Sequence, residues 1–181
     1  FERIADTRDQ TPAVRLEALS IAADQMEKSG NTARTIVLLG RLVTEFPTPI
    51  AERIETRQRL ADYAAKQGNA VRVTYWQREI VSADAAAGAG RSDRTRYLAA
   101  RASLALAAPA RDSFRAVKLT APLSRSLAGK RRALETALGG YKAAAAYNTA
   151  EVATQANFEI ADLYRQLGAD LMASDRPKNL S

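Results

Sequence analysis

The sequence predicts an all-α fold, and two observations lead to this prediction. Helix-forming residues such as Ala, Leu, Arg and Glu dominate the 181 residues, whereas Gly and Pro number only 9 and 6. The second observation is a repeat: Gly30-Asn31 and Gly68-Asn69 each interrupt an amphipathic stretch, and these two turns lie 38 residues apart. A repeat of this kind is typical of stacked helical hairpins, so we expect antiparallel hairpins.

The first two hairpins are predicted over residues 13–46 and 50–82. Thr11-Pro12 is a favourable helix start, because Thr caps the helix and Pro fits its first turn. At each Gly-Asn turn the Gly takes the left-handed conformation that ends one helix, and the Asn caps the next. Apolar residues recur at steps of three and four, as on the buried face of a helix. Pro47 ends the first hairpin.

A third unit is predicted to depart from this pattern. Residues 82–92 are expected to form a connection, since their Ala and Gly residues show no apolar period. A third hairpin is predicted over residues 93–120. In it Pro109 would separate a longer first helix from a short second one, because proline interrupts a helix.

Two further helices are predicted toward the end of the chain. A long amphipathic helix covers residues 123–147, and its Gly139-Gly140 pair costs about 1 kcal/mol per Gly relative to Ala. A kink or a close helix crossing at this pair would explain the cost. The last helix covers residues 151–173. We expect a single helical-repeat domain over residues 1–181, taken from a longer protein because the chain starts without Met.

The composition excludes several kinds of site. The chain has no Cys and no His, so disulfides, thiolate or imidazole metal ligands and the Ser-His-Asp and Cys-His nucleophile systems are excluded. We therefore expect no catalytic residue, no cofactor and no metal site, and predict that the protein is not an enzyme. No stretch approaches the roughly 20 apolar residues of a membrane-spanning helix.

Positive charge is concentrated in one segment. The chain carries a net charge of +7. Residues 94–132, which we call the basic window, contain many Lys and Arg residues and a single acid, Asp112. This window predicts a surface for nucleic acid, anionic lipid headgroups or an acidic protein; the alternative is an ordinary solvated helix face. Nucleic acid is disfavoured, because only Tyr97 and Phe114 are interleaved with the charges and no nucleic-acid-binding motif is present.

The first hairpin resembles a tetratricopeptide repeat. With the terminal proline of that repeat set at Pro47, Leu19 falls at the first large apolar position and Met26 at the aromatic position. Ala23 falls at the small residue, where the two helices of a hairpin approach closely. Thr35 departs from the repeat, which prefers Ala there.

The resemblance extends to the second hairpin and the last helix. The matching residues are Leu60, Ala61 and Ala64, and then Ile160, Ala161 and Tyr164. Arg57 departs from the pattern, because it replaces the first large apolar residue of the second hairpin. The resemblance implies a right-handed α-solenoid that acts as a non-catalytic scaffold and binds another protein or peptide.

The resemblance also implies where a partner would bind. The outward positions of the first helices line the concave face in such repeats, and an acidic groove there favours a basic or amphipathic peptide. The alternative function is a basic helical domain that binds nucleic acid or anionic surfaces through the basic window. The candidate partner-binding residues of the two hypotheses are Glu17, Asp24, Glu27, Glu55, Asp62, Arg94, Arg101, Arg115, Arg125, Arg131 and Arg132.

The end of the chain supports two further expectations. Residues 147–177 resemble the tail of tetratricopeptide proteins from proteobacterial cell envelopes, which implies a periplasmic or outer-membrane-associated complex, with the cytoplasm as the alternative. The last helix also carries many apolar residues for the end of a row of hairpins, including Phe158, Tyr164 and Leu171. We therefore expect further hairpins after Pro177, or self-association of the exposed end.

Overall fold

The computed structural model describes residues 1–174, and within this range all regular secondary structure is helical. The all-α prediction is confirmed. The helices are α1 (Glu2–Asp6), α2 (Pro12–Lys28), α3 (Thr32–Glu45), α4 (Ile50–Lys66), α5 (Ala70–Ala86), α6 (Asp93–Ala116), α7 (Leu123–Ala145) and α8 (Ala150–Ala173). A short 3-10 turn, Gly88–Gly90, lies between α5 and α6. The continuation predicted after Pro177 lies outside the described residues.

The turns after α2 and α4 are built as the sequence predicts. Gly30 and Gly68 have positive φ angles of 76° and 67°, a conformation that residues with a Cβ rarely adopt. The Asn after each Gly caps the following helix. The side-chain oxygen of Asn31 accepts a hydrogen bond from the backbone N–H of Arg34 at 3.1 Å, and Asn69 caps α5 in the same way. The two hairpins therefore share one construction.

Residues Phe1–Ala99 form the first of two compact units. Its helices pack on their neighbours in chain order, α1 on α2, α2 on α3, α3 on α4 and α4 on α5. Ala23 and Ala61, predicted to lie at close helix contacts, are both buried. The rest of the apolar core comes from buried residues on all five helices, among them Ala5, Leu19, Leu38, Leu39, Leu42, Leu60 and Trp76.

The second compact unit begins at Ala100 and contains the remainder of α6 with α7 and α8. Here the structure corrects the hairpin predicted over residues 93–120, because α6 continues through Pro109 as one helix to Ala116. A proline inside a helix removes one backbone hydrogen bond. Phe114, five residues later, is fully buried in the core of this unit, and burying a Phe side chain contributes about 1.5–3 kcal/mol. The burial of Phe114 thus offsets the hydrogen bond that is lost at Pro109.

Helix α7 approaches α6 closely at Gly140. A Cβ built on Gly140 would lie 2.8 Å from the Cβ of Ala107 on α6, whereas a Cβ on Gly139 would meet no atom within 4 Å. Helix α7 runs through both glycines without a break. Of the two explanations that the sequence left open for this pair, the close helix crossing is confirmed, and Gly140 alone makes it.

The remaining predictions concern how the helices are arranged in space. Consecutive packing of helices is compatible with a helical-repeat fold, while the right-handed solenoid and the single domain over residues 1–181 stay predictions. The connection predicted over residues 82–92 is shorter than expected, since α5 extends to Ala86. Asp84 in this last turn is fully buried and forms an ion pair with Arg91 at 2.7 Å.

We predict opposite effects of the same substitution at the two adjacent glycines of α7. Gly140→Ala should lower the free energy of unfolding by about 1–3 kcal/mol, because the new methyl group overlaps Ala107. Gly139→Ala should raise it by up to about 1 kcal/mol, because Ala is the better helix former and the position is open. Urea unfolding of both variants measures the difference. Equal effects would contradict the close crossing.

Candidate functional site

The acidic residues predicted to line a concave face are largely engaged between helices. Arg59 on α4 binds Asp24 at 3.0 Å and Glu27 at 2.7 Å, both on α2. The Tyr63 hydroxyl also donates a hydrogen bond to Glu27 at 2.6 Å. This bond, together with Arg59, holds the pKa of the Glu27 carboxyl below its ordinary value. These carboxylates therefore link α2 to α4.

The same kind of link joins α4 to the start of α6. Arg94 Nε donates to Glu55 at 2.5 Å, so one candidate cation and one candidate anion neutralise each other. Asp62 accepts a hydrogen bond from Gln58 at 2.8 Å on its own helix. Within residues 1–174, Glu17 forms no ion pair or side-chain hydrogen bond, and it is exposed. The acidic set thus does not form one free acidic surface, and its role in binding stays a prediction.

The cations of the basic window have several different roles. On α6, Arg111 binds Glu159 at 3.2 Å and Arg115 binds Asp162 at 2.8 Å, which ties α6 to α8 in the second unit. Hydrogen bonds from Arg165 and then Arg115 lower the pKa of the Asp162 carboxyl. Arg101 is exposed on the same helix. These arginines hold helices together as well as carrying charge.

Three candidate cations on α7 remain exposed. Arg125, Arg131 and Arg132 form no ion pair with any residue in the part of the chain that the structure describes. All three lie near the start of α7, where the window was predicted to present a basic patch. Together with Lys118, which is exposed and forms no ion pair within residues 1–174, they are members of the window that are available to a partner.

Lys130, which the sequence places among these surface cations, is fully buried. Its ammonium donates hydrogen bonds of 2.8 Å to the backbone carbonyls of Phe114 and Val117 and binds Asp170 at 2.6 Å. The Phe114 ring lies 4.0 Å from the ammonium, within cation–π range. Lys130, in the third turn of α7, therefore joins the C-terminal end of α6 to the end of α8.

The partner of Lys130 is charged at neutral pH. Burial by itself raises the pKa of the Asp170 carboxyl, but hydrogen bonds from Lys130 and Gln166 outweigh burial, so this pKa lies below its ordinary value. The ion pair satisfies the third ammonium proton.

Two arginines that the sequence analysis did not single out cap helix ends in the first unit. Arg15 on α2 donates to the carbonyl of Ala5 in α1 at 2.7 Å, and Arg53 on α4 donates to the carbonyl of Leu42 in α3 at 3.2 Å. Arg15 and Arg53 lie 38 residues apart, the spacing of the two Gly-Asn turns. Each is the fourth residue of its helix. A comparison of the two hairpins position by position would therefore have paired these arginines.

An open groove lies between α3 and α5, with α4 as its floor. Its volume is about 500 Å³. Six of its ten lining residues have apolar side chains, among them Ile36 and Val37 from α3 and Trp76 from α5. Gly40 of α3 contributes no side chain, and Arg72 of α5 is the one charged residue among the lining residues. Val37 is 49% exposed, so the apolar wall is accessible to a partner.

Helix α8 exposes further apolar side chains. Phe158 is 69% and Met172 is 80% exposed, and Tyr164 and Leu171 are also exposed. The apolar end predicted from the sequence is therefore present on α8, while self-association stays a prediction.

Comparison with protein-family models, with curated proteins and with solved structures finds no match to this chain. The resemblance to tetratricopeptide repeats therefore rests on the residues quoted above. Within residues 1–174, no helix combines the length and the apolar character that crossing a membrane requires. In the same range, no group of three or more acidic side chains is placed to hold a metal ion.

We predict that Lys130→Met lowers the free energy of unfolding by about 3–5 kcal/mol, because it leaves Asp170 without its cation and two carbonyls without donors. Lys142→Met is the matched control, since Lys142 is exposed on the same helix and should change stability by less than about 0.5 kcal/mol. Chemical denaturation compares the two. An equally small effect at Lys130 would contradict its role.

Proposed function

We propose that this protein is a non-catalytic scaffold of tetratricopeptide-like hairpins that binds a peptide segment of another protein. Helices α2 to α5 form two hairpins with the same turn construction, and a groove between packed helices is suited to an extended or helical peptide. The groove lies between the second helices of the two hairpins, whereas the resemblance implies a site on the first helices. The feature that carries the proposal is the groove of about 500 Å³ between α3 and α5. We propose it as the binding site.

The lining of the groove is suited to a peptide. Apolar surface that a monomer leaves accessible is a common mark of an interaction site. Trp76 stands in a T-shaped contact with Tyr75, whose ring centroid is 4.8 Å away. Trp76 is only 9% exposed, so this contact fixes one wall of the groove and leaves little of the indole for a partner. Ile36 and Val37 on the opposite wall extend the apolar contact.

The charged residues favour binding through this groove over binding through the basic window. Arg94, Arg111 and Arg115 already pair with carboxylates of neighbouring helices, and Lys130 is buried. Such pairs reduce the positive potential available to a polyanion. We therefore do not propose nucleic-acid binding. The location in the cell envelope stays a prediction from the resemblance of residues 147–177.

The test uses a substitution that fills the groove without weakening the helix that carries it. A Cβ at Gly40 would meet no atom within 4 Å, so Gly40→Leu projects into open space and improves helix propensity by roughly 1 kcal/mol. Peptides selected from a random phage-displayed library on the wild-type chain should lose at least about tenfold in affinity for Gly40→Leu, because the groove is occupied. Fluorescence polarisation with labelled synthetic peptides measures this loss.

The matched control is Gly168→Leu, which makes the same change in α8 where the space is also open. This variant should bind the selected peptides as the wild type does. Circular dichroism melting should show both variants folded. Selected peptides that bind Gly40→Leu with unchanged affinity would show that the groove is not the binding site.

A further inference from the structure

The pair of helices α1 and α3 and the pair α3 and α5 occupy equivalent places in the repeat. Arg15 of α2 caps α1, and Arg53 of α4 caps α3, with 38 residues between the two arginines. Helix α1 therefore has α3 as its counterpart, and α3 has α5. A residue of one pair can be matched to the residue 38 positions later in the other pair.

Two ion pairs close the contact between α1 and α3. Arg34 of α3 binds Glu2 of α1, with Nε donating to the carboxylate at 3.1 Å, and Arg41 binds Asp6 at 2.7 Å. The hydrogen bond from Arg34 is the main reason that the pKa of the Glu2 carboxyl lies below its ordinary value. Each carboxylate on α1 thus meets an arginine on α3.

The equivalent positions of α3 and α5 retain one of the two cations and neither carboxylate, since the counterparts of Arg41 and Asp6 are Glu79 and Thr44. Arg72 is the counterpart of Arg34, and Gly40 is the counterpart of Glu2. The side chain of Arg72 forms no hydrogen bond or ion pair with any residue in the described range 1–174. Both residues line the groove, and no acidic residue is among its lining residues. The groove is therefore open where the earlier repeat has a glutamate.

We propose that this groove binds an acidic, amphipathic peptide whose carboxylate side chain pairs with Arg72 as Glu2 pairs with Arg34. The inference rests on the proposed function and names the chemistry of its partner. The apolar residues of the peptide contact Ile36 and Val37, and its Asp or Glu replaces the side chain that Gly40 lacks. The sequence predicts a basic or amphipathic peptide; the partner proposed here is amphipathic but acidic.

The first test supplies the missing carboxylate from the chain itself. Gly40→Glu should melt about 1–2 °C higher than Gly40→Gln at low salt, since the two variants have nearly equal size and helix propensity and only Glu can pair with Arg72. The difference should vanish in the Arg72→Gln background and at 1 M NaCl. Differential scanning calorimetry measures it. Equal melting of the Glu and Gln variants at low salt would contradict the equivalence of the two contacts.

The second test measures coupling between Arg72 and the partner. Groove-binding peptides are those from the phage-displayed library that lose affinity for Gly40→Leu. In these, replacing one Asp or Glu by its amide should weaken binding about 3- to 10-fold, and Arg72→Gln should weaken it equally. The two changes together should cost no more than one alone, because they remove the same ion pair. Arg78→Gln, on the same helix outside the groove lining, is the control and should leave binding unchanged.

The outcomes separate this inference from the proposed function. Peptides that depend on Gly40 but tolerate Arg72→Gln, or that contain no acidic residue, would overturn the inference and leave the scaffold proposal standing. A selection that yields no Gly40-dependent peptide would overturn both. Peptides whose affinity falls equally when the carboxylate or Arg72 is replaced, and no further when both are replaced, support both proposals.

Discussion

Donors at the C-terminal ends of helices are the constraint on which this structure depends. The last carbonyls of a helix have no partner within it, so an end that is packed against another helix needs donors from elsewhere. Arg15 and Arg53 supply them to α1 and α3, and Lys130 supplies them to α6. In each case the cation comes from the helix that follows in the chain. The same side chain therefore satisfies one helix and places the next.

Many charged residues of this protein connect helices. Arg59 joins α4 to α2, Arg94 joins α6 to α4, and Arg111 and Arg115 join α6 to α8. Exposed pairs of this kind each contribute little stability. The pairs nevertheless favour one arrangement of the helices, because a different arrangement would bring like charges together. With 27 Lys and Arg residues against 20 Asp and Glu residues, cations without an ion-pair partner are expected. Arg72 is set apart from the others because it lines the groove.

The proline and the glycines of the second unit show where local sequence signals compete with packing. Pro109 predicts the end of a helix, yet α6 continues because the buried Phe114 and the cap from Lys130 stabilise the next two turns. Gly139 and Gly140 look alike in the sequence, and only the approach of Ala107 distinguishes them. The first case is decided by a contact between residues 16 positions apart, and the second by a contact between residues 33 positions apart.

The sequence by itself determined the helical class, the two Gly-Asn turns and the apolar faces, because these depend on backbone conformation and periodicity within a few residues. Tertiary structure alone decided which charged residues are surface and which are links. Lys130 and Arg131 are adjacent cations in the chain, but one is fully buried against two carbonyls and Asp170 while the other is exposed. The role of a long charged side chain depends on the groups that another helix places beside it. Local sequence does not specify those groups, because they are distant in the chain.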